Sequence, residues 1–522
     1  GLLRAACSTE FQMSFADVAT VLDHLRNEQQ TAGDWLQKLD AINDVSDLGR
    51  RALTDLAVAL AGFDQGSSPW TVLATVLLDR TRMAARIADS THPGDRAHGM
   101  AIWQLMNFLR VQPSGQGLPI MRLLNRIRRL VRLGDDRDLR QLPASAQGID
   151  AVRLMTIHGA KGLEFRVVHV PGLNAGTIPR KSPSPPCPPP DGMVEGGQGN
   201  ALDIFHAAQA EEQECLFYVA LSRARDRLFL YALTQKADGK KWASSQFLDR
   251  FSSVLAKRHV NPTRGLPPAP ETAAIEFVVD GALRFDASKV ALCNSCARRF
   301  LYTHILQIGG RRQESAFMQM HEAVRTVYKA AISGEAPITN DTELNQRVGD
   351  AFAKHGMADH GYVAEYQALA ISMVRFFISS RAGHTPETPA ALSLTFGQEQ
   401  IIVQPDDVLI RPDGGRTFRR VTSGHHRSAD ADDVGAAAFM LAAKQAFPNA
   451  IVEIVSLSDE SAQQLDMSER VLKNRSDTLA GLLKEIRAGN FPPDPSPRVC
   501  PRCPAFFICG PTPSGVLRKK FP

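Results

Sequence analysis

Two short runs constrain this chain more than anything else in it. Met155-Thr156-Ile157-His158-Gly159-Ala160-Lys161-Gly162-Leu163-Glu164-Phe165 is the first. Tyr218-Val219-Ala220-Leu221-Ser222-Arg223-Ala224-Arg225 follows about fifty residues later. Each leads into an apolar stretch, Val167 to Val170 and Leu228 to Leu233. Stretches of that length and composition read as buried strands. Glu211 to Arg225 carries a helical pattern between them, and Ala151 to Ile157 reads as a further strand. Alternating strand and helix signals predict an α/β layer with a largely parallel sheet over residues 149–236. Gly159 and Gly162 allow the backbone to turn tightly there. From Pro179 to Pro190 seven prolines interrupt the pattern, which favours an extended, solvated excursion.

In this order and at this distance the two runs resemble the last two signature motifs of the UvrD/Rep/PcrA helicases of superfamily 1. The resemblance implies the second RecA-like lobe of an ATP-dependent 3′→5′ DNA helicase of repair or recombination. It also implies ATP and Mg2+ in the intact protein, and single-stranded or duplex DNA as partner. Arg223 matches the arginine finger of the family, a catalytic and nucleotide-binding position. A guanidinium suits that task because it is planar, permanently charged and bidentate. By the same resemblance Lys161 lies on the phosphate side and Glu164 on the ribose. Thr156, His158 and Tyr218 couple the nucleotide cleft to the DNA track. The plainer alternatives are a satisfied core histidine for His158, a packing residue for Tyr218 and, least favoured given the surrounding match, a surface arginine with an acidic partner for Arg223. No G-x-x-x-x-G-K-[ST] phosphate loop occurs in the 522 residues. These residues alone are therefore expected not to hydrolyse ATP.

Residues 1–148 read as helical. Phe15 to Leu25 and Arg51 to Phe63 have apolar residues at helical spacing, with Gly and Pro breaks at 65–69 and 112–117. By position they resemble the helical domain that the family inserts into its second lobe. Near their end, Arg122, Arg126, Arg128, Arg129 and Arg132 crowd one helix whose other face holds Leu123, Leu124, Ile127, Leu130 and Val131. That is either a solvated basic face or a contact with DNA phosphates.

Residues 237–285 read as a linker, with Pro262, Pro267, Pro268 and Pro270 close together. A second α/β unit is expected over 286–522. Its helices are expected near 289–305, 316–333, 361–381, 431–446 and 468–488. Gln400 to Val403 and Val408 to Arg411 read as strands, and Pro412-Asp413-Gly414-Gly415 is a turn from which Thr417 to Val421 returns.

Three cysteines, Cys500, Cys503 and Cys509, cluster near the end of the chain, and Cys296 precedes them by about two hundred residues. A cysteine cluster with no secretory leader reads as a metal site before a disulfide. One distant cysteine followed by C-x2-C-x5-C resembles the iron–sulfur staple of AddB-type nuclease domains. This implies a [4Fe–4S] cluster on Cys296, Cys500, Cys503 and Cys509, with zinc as the alternative. Cys293 is a rival ligand, and four ordinary free thiols are the plainer reading.

Between those cysteines the chain resembles a PD-(D/E)XK nuclease core, in which two acids hold a divalent metal and a lysine orients water. His321 matches the family's helix histidine and Asp407 its first acid. Where the Asp-x-Lys triplet should stand, the chain has Arg420-Val421-Thr422. Asp406 should point away from Asp407's face, and Asp413 sits in the turn. The resemblance therefore implies a degenerate site that serves as a DNA-binding or structural platform. The alternatives are a non-catalytic iron–sulfur scaffold and an active AddB-like exonuclease subunit. A further expected partner is a second helicase–nuclease subunit.

A hydrophobic content of 44% is that of a globular protein. The net charge of +5 permits nucleic-acid binding without requiring it. No apolar run approaches the roughly 18 residues of a membrane span, so a cytoplasmic location and no membrane partner are expected. The chain opens on Gly with no start signal, which is the expectation for the C-terminal part of a longer protein.

Overall fold

The computed structural model describes residues 1–27, 34–113, 115–135, 152–180, 183–197, 199–251, 253–258, 275–308, 315–334, 338–426 and 430–521. It divides into two compact units. One is Ala144–Ala269; the other joins Gly1–Pro143 to Pro270–Pro522.

The larger unit begins with helices α1 (Phe15–Asn27), α2 (Asp47–Leu60), α3 (Pro93–Arg110) and α4 (Pro119–Leu133). In α1, Phe15, Val18 and Val21 are buried, three residues apart and so on one face. Asp17 on the same helix is also buried, because it accepts from the backbone N–H and hydroxyl of Ser46, each at 2.8 Å. Ser46 in turn caps α2 by accepting from Gly49 N at 3.1 Å. Helix α4 opens on Pro119 and ends on Gly134 in the left-handed region, a common pairing of start and stop residues.

In the smaller unit, β1 (Phe165–Val170) and β2 (Ala224–Leu230) pair in parallel and are linked through α5 (Ala201–Leu221). Val170, Leu173, Phe217, Ala220 and Phe247 form its core. Three expectations change here. Val152 to Thr156 form no strand, and Leu154 is 98% exposed, since among the described residues β1 pairs only with β2. The helix ends at Leu221 rather than Arg225, because Ser222 Oγ and Arg223 Nε both take the carbonyl of Val219. Residues 237–285 are not simply a linker: Phe247 is buried in this core, and two strands lie within 276–286. The prolines at 262–270 lie outside the described residues.

The larger unit resumes with β3 (Glu276–Asp280), β4 (Arg284–Asp286), α6 (Ala287–Ser295), α7 (Ala316–Ser333), α8 (Asp341–Lys354) and α9 (Val363–Ser379). Next come β5 (Thr385–Glu387), β6 (Leu392–Phe396), β7 (Glu399–Val403), β8 (Asp407–Ile410) and β9 (Arg416–Thr422). The rest is α10 (Val434–Ala446), β10 (Ile451–Ser456), β11 (Ser461–Gln464), α11 (Glu469–Arg487) and β12 (Val516–Lys520). A five-stranded sheet runs β11-β10-β9-β8-β5, with β9 and β10 parallel and the other pairs antiparallel. The β8–β9 hairpin closes as the turn residues require, with Arg411 N on Gly415 O at 2.8 Å and Gly414 at φ +80°. β7 joins a separate sheet, β4-β7-β6, rather than the hairpin. One face of the five-stranded sheet packs on α10 and α11. The other meets α7, α8 and α9 through Val421, Val455 and Leu457.

The N-terminal helices share the first of these cores. Leu3, Phe15, Val18 and Val21 pack with Phe285, Phe300 and Leu517, and Phe15 N donates to Ser514 O at 2.9 Å. The segment expected to belong to the motor lobe is thus folded against the nuclease-like half.

Candidate functional site

The two motor runs meet at one residue. The Arg223 backbone carbonyl accepts from Phe165 N at 2.9 Å. Its guanidinium donates through Nη1 to Leu163 O at 2.9 Å, through Nε to Val219 O at 3.1 Å and through Nη2 to Ser222 Oγ at 2.9 Å. One arginine therefore ties the end of the first run to the helix end of the second. No carboxylate among the described residues pairs with it, so the surface-pair alternative does not describe it. Thr156 Oγ1 accepts from Gly159 N at 3.0 Å in the single turn His158–Ala160, after which Gly162 takes φ +82°. Thr156, His158, Lys161 and Glu164 are all exposed, and Tyr218 is 70% exposed. His158 is not a core histidine and Tyr218 does not pack inside its unit.

The nuclease-like cleft is built on β8 and β9. Asp407, expected as the metal-facing acid, is 0% exposed and its carboxylate is taken by arginines. Its Oδ2 accepts from Arg419 Nη1 at 3.0 Å and its Oδ1 lies 3.3 Å from Arg381. Arg419 is itself 1% exposed, donates to Ser380 Oγ at 2.7 Å and approaches Glu453 at 3.6 Å. A buried guanidinium, Arg419, and a partly buried one, Arg381, hold Asp407 because a carboxylate at that depth needs charge partners. The residue before it takes the cleft. Asp406 Oδ2 accepts from Val421 N at 2.9 Å. Burial pushes its carboxyl up, against the opposing pull of that N–H, Arg325, Lys329 and Arg420. Arg325, Lys329 and His321 all lie on α7.

His321 has its ring edge-on to Phe317 at 4.2 Å, a buried Nδ1 with no hydrogen-bond partner, and a pKa lowered by burial and then by His425. Arg420 pairs at 3.2 Å with Asp433, which caps α10 by accepting from Ala436 N at 2.6 Å. Thr422 Oγ1 accepts only from Gly424 N, at 3.3 Å. Asp406 thus stands among Arg325, Lys329 and Arg420, and Asp433 pairs with the last of these.

Sequence reasoning named Asp406 but set it aside, and missed Arg325, Lys329, Arg381 and Arg419. The available signal was the dipeptide Pro405-Asp406 directly before the strand.

The cysteines lie where Cys296, between α6 and the short helix Ala297–Phe300, meets the C-terminal segment. Burial raises the Cys509 thiol pKa; Arg298 opposes this, while Cys296, Cys503 and Cys500 reinforce it. The four thiols therefore share one corner. Cys293 is buried, with its thiol pushed up to about 12 by burial and then by Cys296, and reads as a core residue. Among the described residues no three His, Cys, Asp or Glu side chains stand close enough to hold a metal ion. The expected cluster is thus not a preformed cage. Buried Arg298 ties the corner together, donating to Phe491 O and Gly510 O at 2.7 Å each. Among the described residues no helix is long and apolar enough to cross a membrane.

Comparison with known proteins finds a match for each half of the chain. Residues 13–235 match the UvrD-like helicase C-terminal domain, and residues 284–510 match the PD-(D/E)XK nuclease superfamily. The chain is 32% identical over 184 residues to an ATP-dependent helicase/nuclease subunit of Moorella thermoacetica, covering 30% of this chain and 12% of that protein. It is 27% identical over 251 residues to "ATP-dependent DNA helicase UvrD1" of Mycobacterium tuberculosis, covering 46% and 28%. "ATP-dependent DNA helicase PcrA" of Bacillus subtilis is 33% identical over 101 residues, covering 19% and 11%. The chain thus spans between 11% and 28% of the length of these relatives. The chain thus carries a UvrD-like helicase C-terminal domain over residues 13–235 and a domain of the PD-(D/E)XK nuclease superfamily over residues 284–510.

Proposed function

We propose that this chain is part of an ATP-dependent 3′→5′ DNA helicase of repair and recombination, with a nuclease-like domain that no longer cuts. Arg223 is the observation that carries the motor reading, because its side chain and backbone join both runs. As the arginine finger it would stabilise charge on the γ-phosphoryl group when a nucleotide-bearing lobe closes. Lys161 and Glu164 would contact phosphate and ribose. Thr156, His158 and Tyr218, all exposed beside it, would pass the closure to DNA. In the resting geometry the Arg223 guanidinium holds carbonyls of its own lobe, so closure must exchange those bonds for phosphate oxygens.

DNA-stimulated ATP hydrolysis tests the reading. The 522 residues alone should show none, and the longest reading frame that contains them should show it. Arg223→Ala in that longer protein should lower the rate by about 10³-fold or more, the usual worth of such a finger. Full activity in Arg223→Ala would sink the assignment.

The nuclease-like cleft supports binding without cleavage. Arg420 and Thr422 stand where an acid and a lysine are needed, and Asp407 is occupied by Arg419 and Arg381. Nicking of plasmid DNA with Mg2+ or Mn2+ that disappears in Asp406→Ala would instead support the exonuclease reading. The shared corner of Cys296, Cys500, Cys503 and Cys509 supports a structural [4Fe–4S] cluster, or zinc, that draws the thiols together on loading. Iron, sulfide and zinc analysis of anaerobically purified protein tests it. A second helicase–nuclease subunit is part of the proposal, and copurification tests it.

A further inference from the structure

Residues 500–515 carry Cys500, Cys503 and Cys509 and are gripped from two sides. From the nuclease-like half, Arg298 Nη1 donates to Gly510 O at 2.7 Å, and the Tyr302 hydroxyl reaches the same carbonyl at 3.5 Å. The other side meets the amino-terminal segment. Cys7 Sγ donates to Pro511 O at 3.1 Å, and Phe15 N donates to Ser514 O at 2.9 Å. Gly510 has no side chain where the Arg4 guanidinium lies, and a Cβ there would collide with it. Gly515, at φ +131°, brings its backbone so close that a Cβ would sit 3.2 Å from Phe15 N. Below these contacts Leu3, Phe15 and Val18 share a core with Leu517, just past the strap.

We infer that this strap is the surface on which residues 1–27 dock, and that the state of its thiols sets how firmly they dock. The carbonyls of Pro511 and Ser514 are backbone groups on a stretch without strand or helix partners of its own, so they are presented only while the strap is held. Cys509 stands two residues before Pro511 and five before Ser514. So short a run has little slack, and fixing the sulfur fixes the carbonyls. A strap already tied to Cys296 through its thiols has less freedom left to lose when residues 1–27 settle on it, so loading the corner firms the docking. The thiol dependence rests on the metal reading of the corner in the proposed function. The docking surface does not, since its contacts are present with the thiols free. The corner would then join the helical segment of the motor to the nuclease-like half, beyond stabilising that half alone.

Hydrogen exchange of the 522-residue chain, read by mass spectrometry, tests both parts. Arg298→Met frees the strap from the nuclease side. Amides of residues 500–515 should lose protection, and those of 15–27 should lose it by the same factor. Helix α8, in the separate core of α7 and α9, should keep its own. Gly515→Ala acts from the other side and leaves Arg298 in place; it should also expose residues 15–27. A loosened strap with residues 15–27 unchanged, in either variant, would overturn the docking surface. Zinc alone, or iron with sulfide under anaerobic conditions, is then added to the reduced chain. Metal uptake should slow exchange at 500–515 and at 15–27 together, and Cys503→Ser with Cys509→Ser should abolish both effects. Uptake with protection confined to 296–300 and 500–510 would overturn the thiol dependence. No uptake of either metal would remove the metal reading and the thiol dependence with it, while a positive Arg298→Met result would keep the docking surface.

Discussion

Replacing Asp407 with alanine should damage the fold rather than any catalytic step. The carboxylate is 0% exposed and bridges Arg419, 1% exposed, to Arg381, 13% exposed. Removing it leaves Arg419 buried with only Ser380 Oγ at 2.7 Å and Glu453 at 3.6 Å as partners. Breaking one side of a buried ion pair costs about 3–5 kcal/mol, because the remaining charge is uncompensated. For a transition involving about 150–250 residues, each kcal/mol moves Tm by about 2–4 °C. The expected fall is therefore about 6–20 °C in the transition of the nuclease-like half. Asp406→Ala, one residue away, loses one hydrogen bond from Val421 N, worth about 0.5–1.5 kcal/mol, and uncovers no buried guanidinium. Scanning calorimetry of the two variants compares them directly. Asp407→Leu combined with Arg419→Met should recover most of the loss, since removing both partners of a buried pair is often neutral. If Asp407→Ala melts within a degree or two of the parent, or Asp406→Ala is the worse variant, the assignment of the two acids is reversed and the reasoning fails.

Asp406→Asn should stabilise the protein at neutral pH, since burial raises the carboxyl's pKa in the folded state and disfavours its charge. The gain should shrink as pH falls through the raised folded value and vanish below the ordinary carboxylate range, where both states hold the proton. Urea melts at several pH values would show it, and a gain that grows in acid would contradict the sign. Arg420→Asp with Thr422→Lys restores the missing acid and lysine beside Asp406, so magnesium-dependent nicking should appear in a folded variant. A folded double variant with neither metal binding nor nicking would argue against the cleft. Arg298→Met removes two charge-assisted bonds, to Phe491 O and Gly510 O, each worth about 1.5–3 kcal/mol. Backbone amides over 500–510 should then exchange faster with solvent, and unchanged protection would show that other contacts hold that corner.

Much was legible in the chain because it was local. Turn chemistry at Pro412 to Gly415 closes the β8–β9 hairpin, and the five helices expected in the nuclease-like half occur near their expected places, because turn residues and apolar period act over a few neighbours. The two motor runs carried their family resemblance in eleven and eight contiguous residues. The run Arg420-Val421-Thr422 was equally plain, since the charge of a side chain needs no structure to be read.

What the tertiary structure decided was orientation. Asp406 stands just before β8, where strand alternation does not apply, so the pattern does not say which acid is held by arginines and which accepts from Val421 N. Asp407, Val408 and Leu409 are all buried, since β8 lies between β5 and β9 with both faces of the sheet covered, so no polar-apolar contrast marks the cleft. Only the arrival of Arg381 after α9, and of Arg325 and Lys329 on α7, settles it. The same holds for α1, whose buried stripe is amphipathic in sequence but does not name its partner. The partner proved to be Phe285 and Leu517, hundreds of residues away, because packing reads shape and burial, while the sequence of one helix records only that some face must be covered.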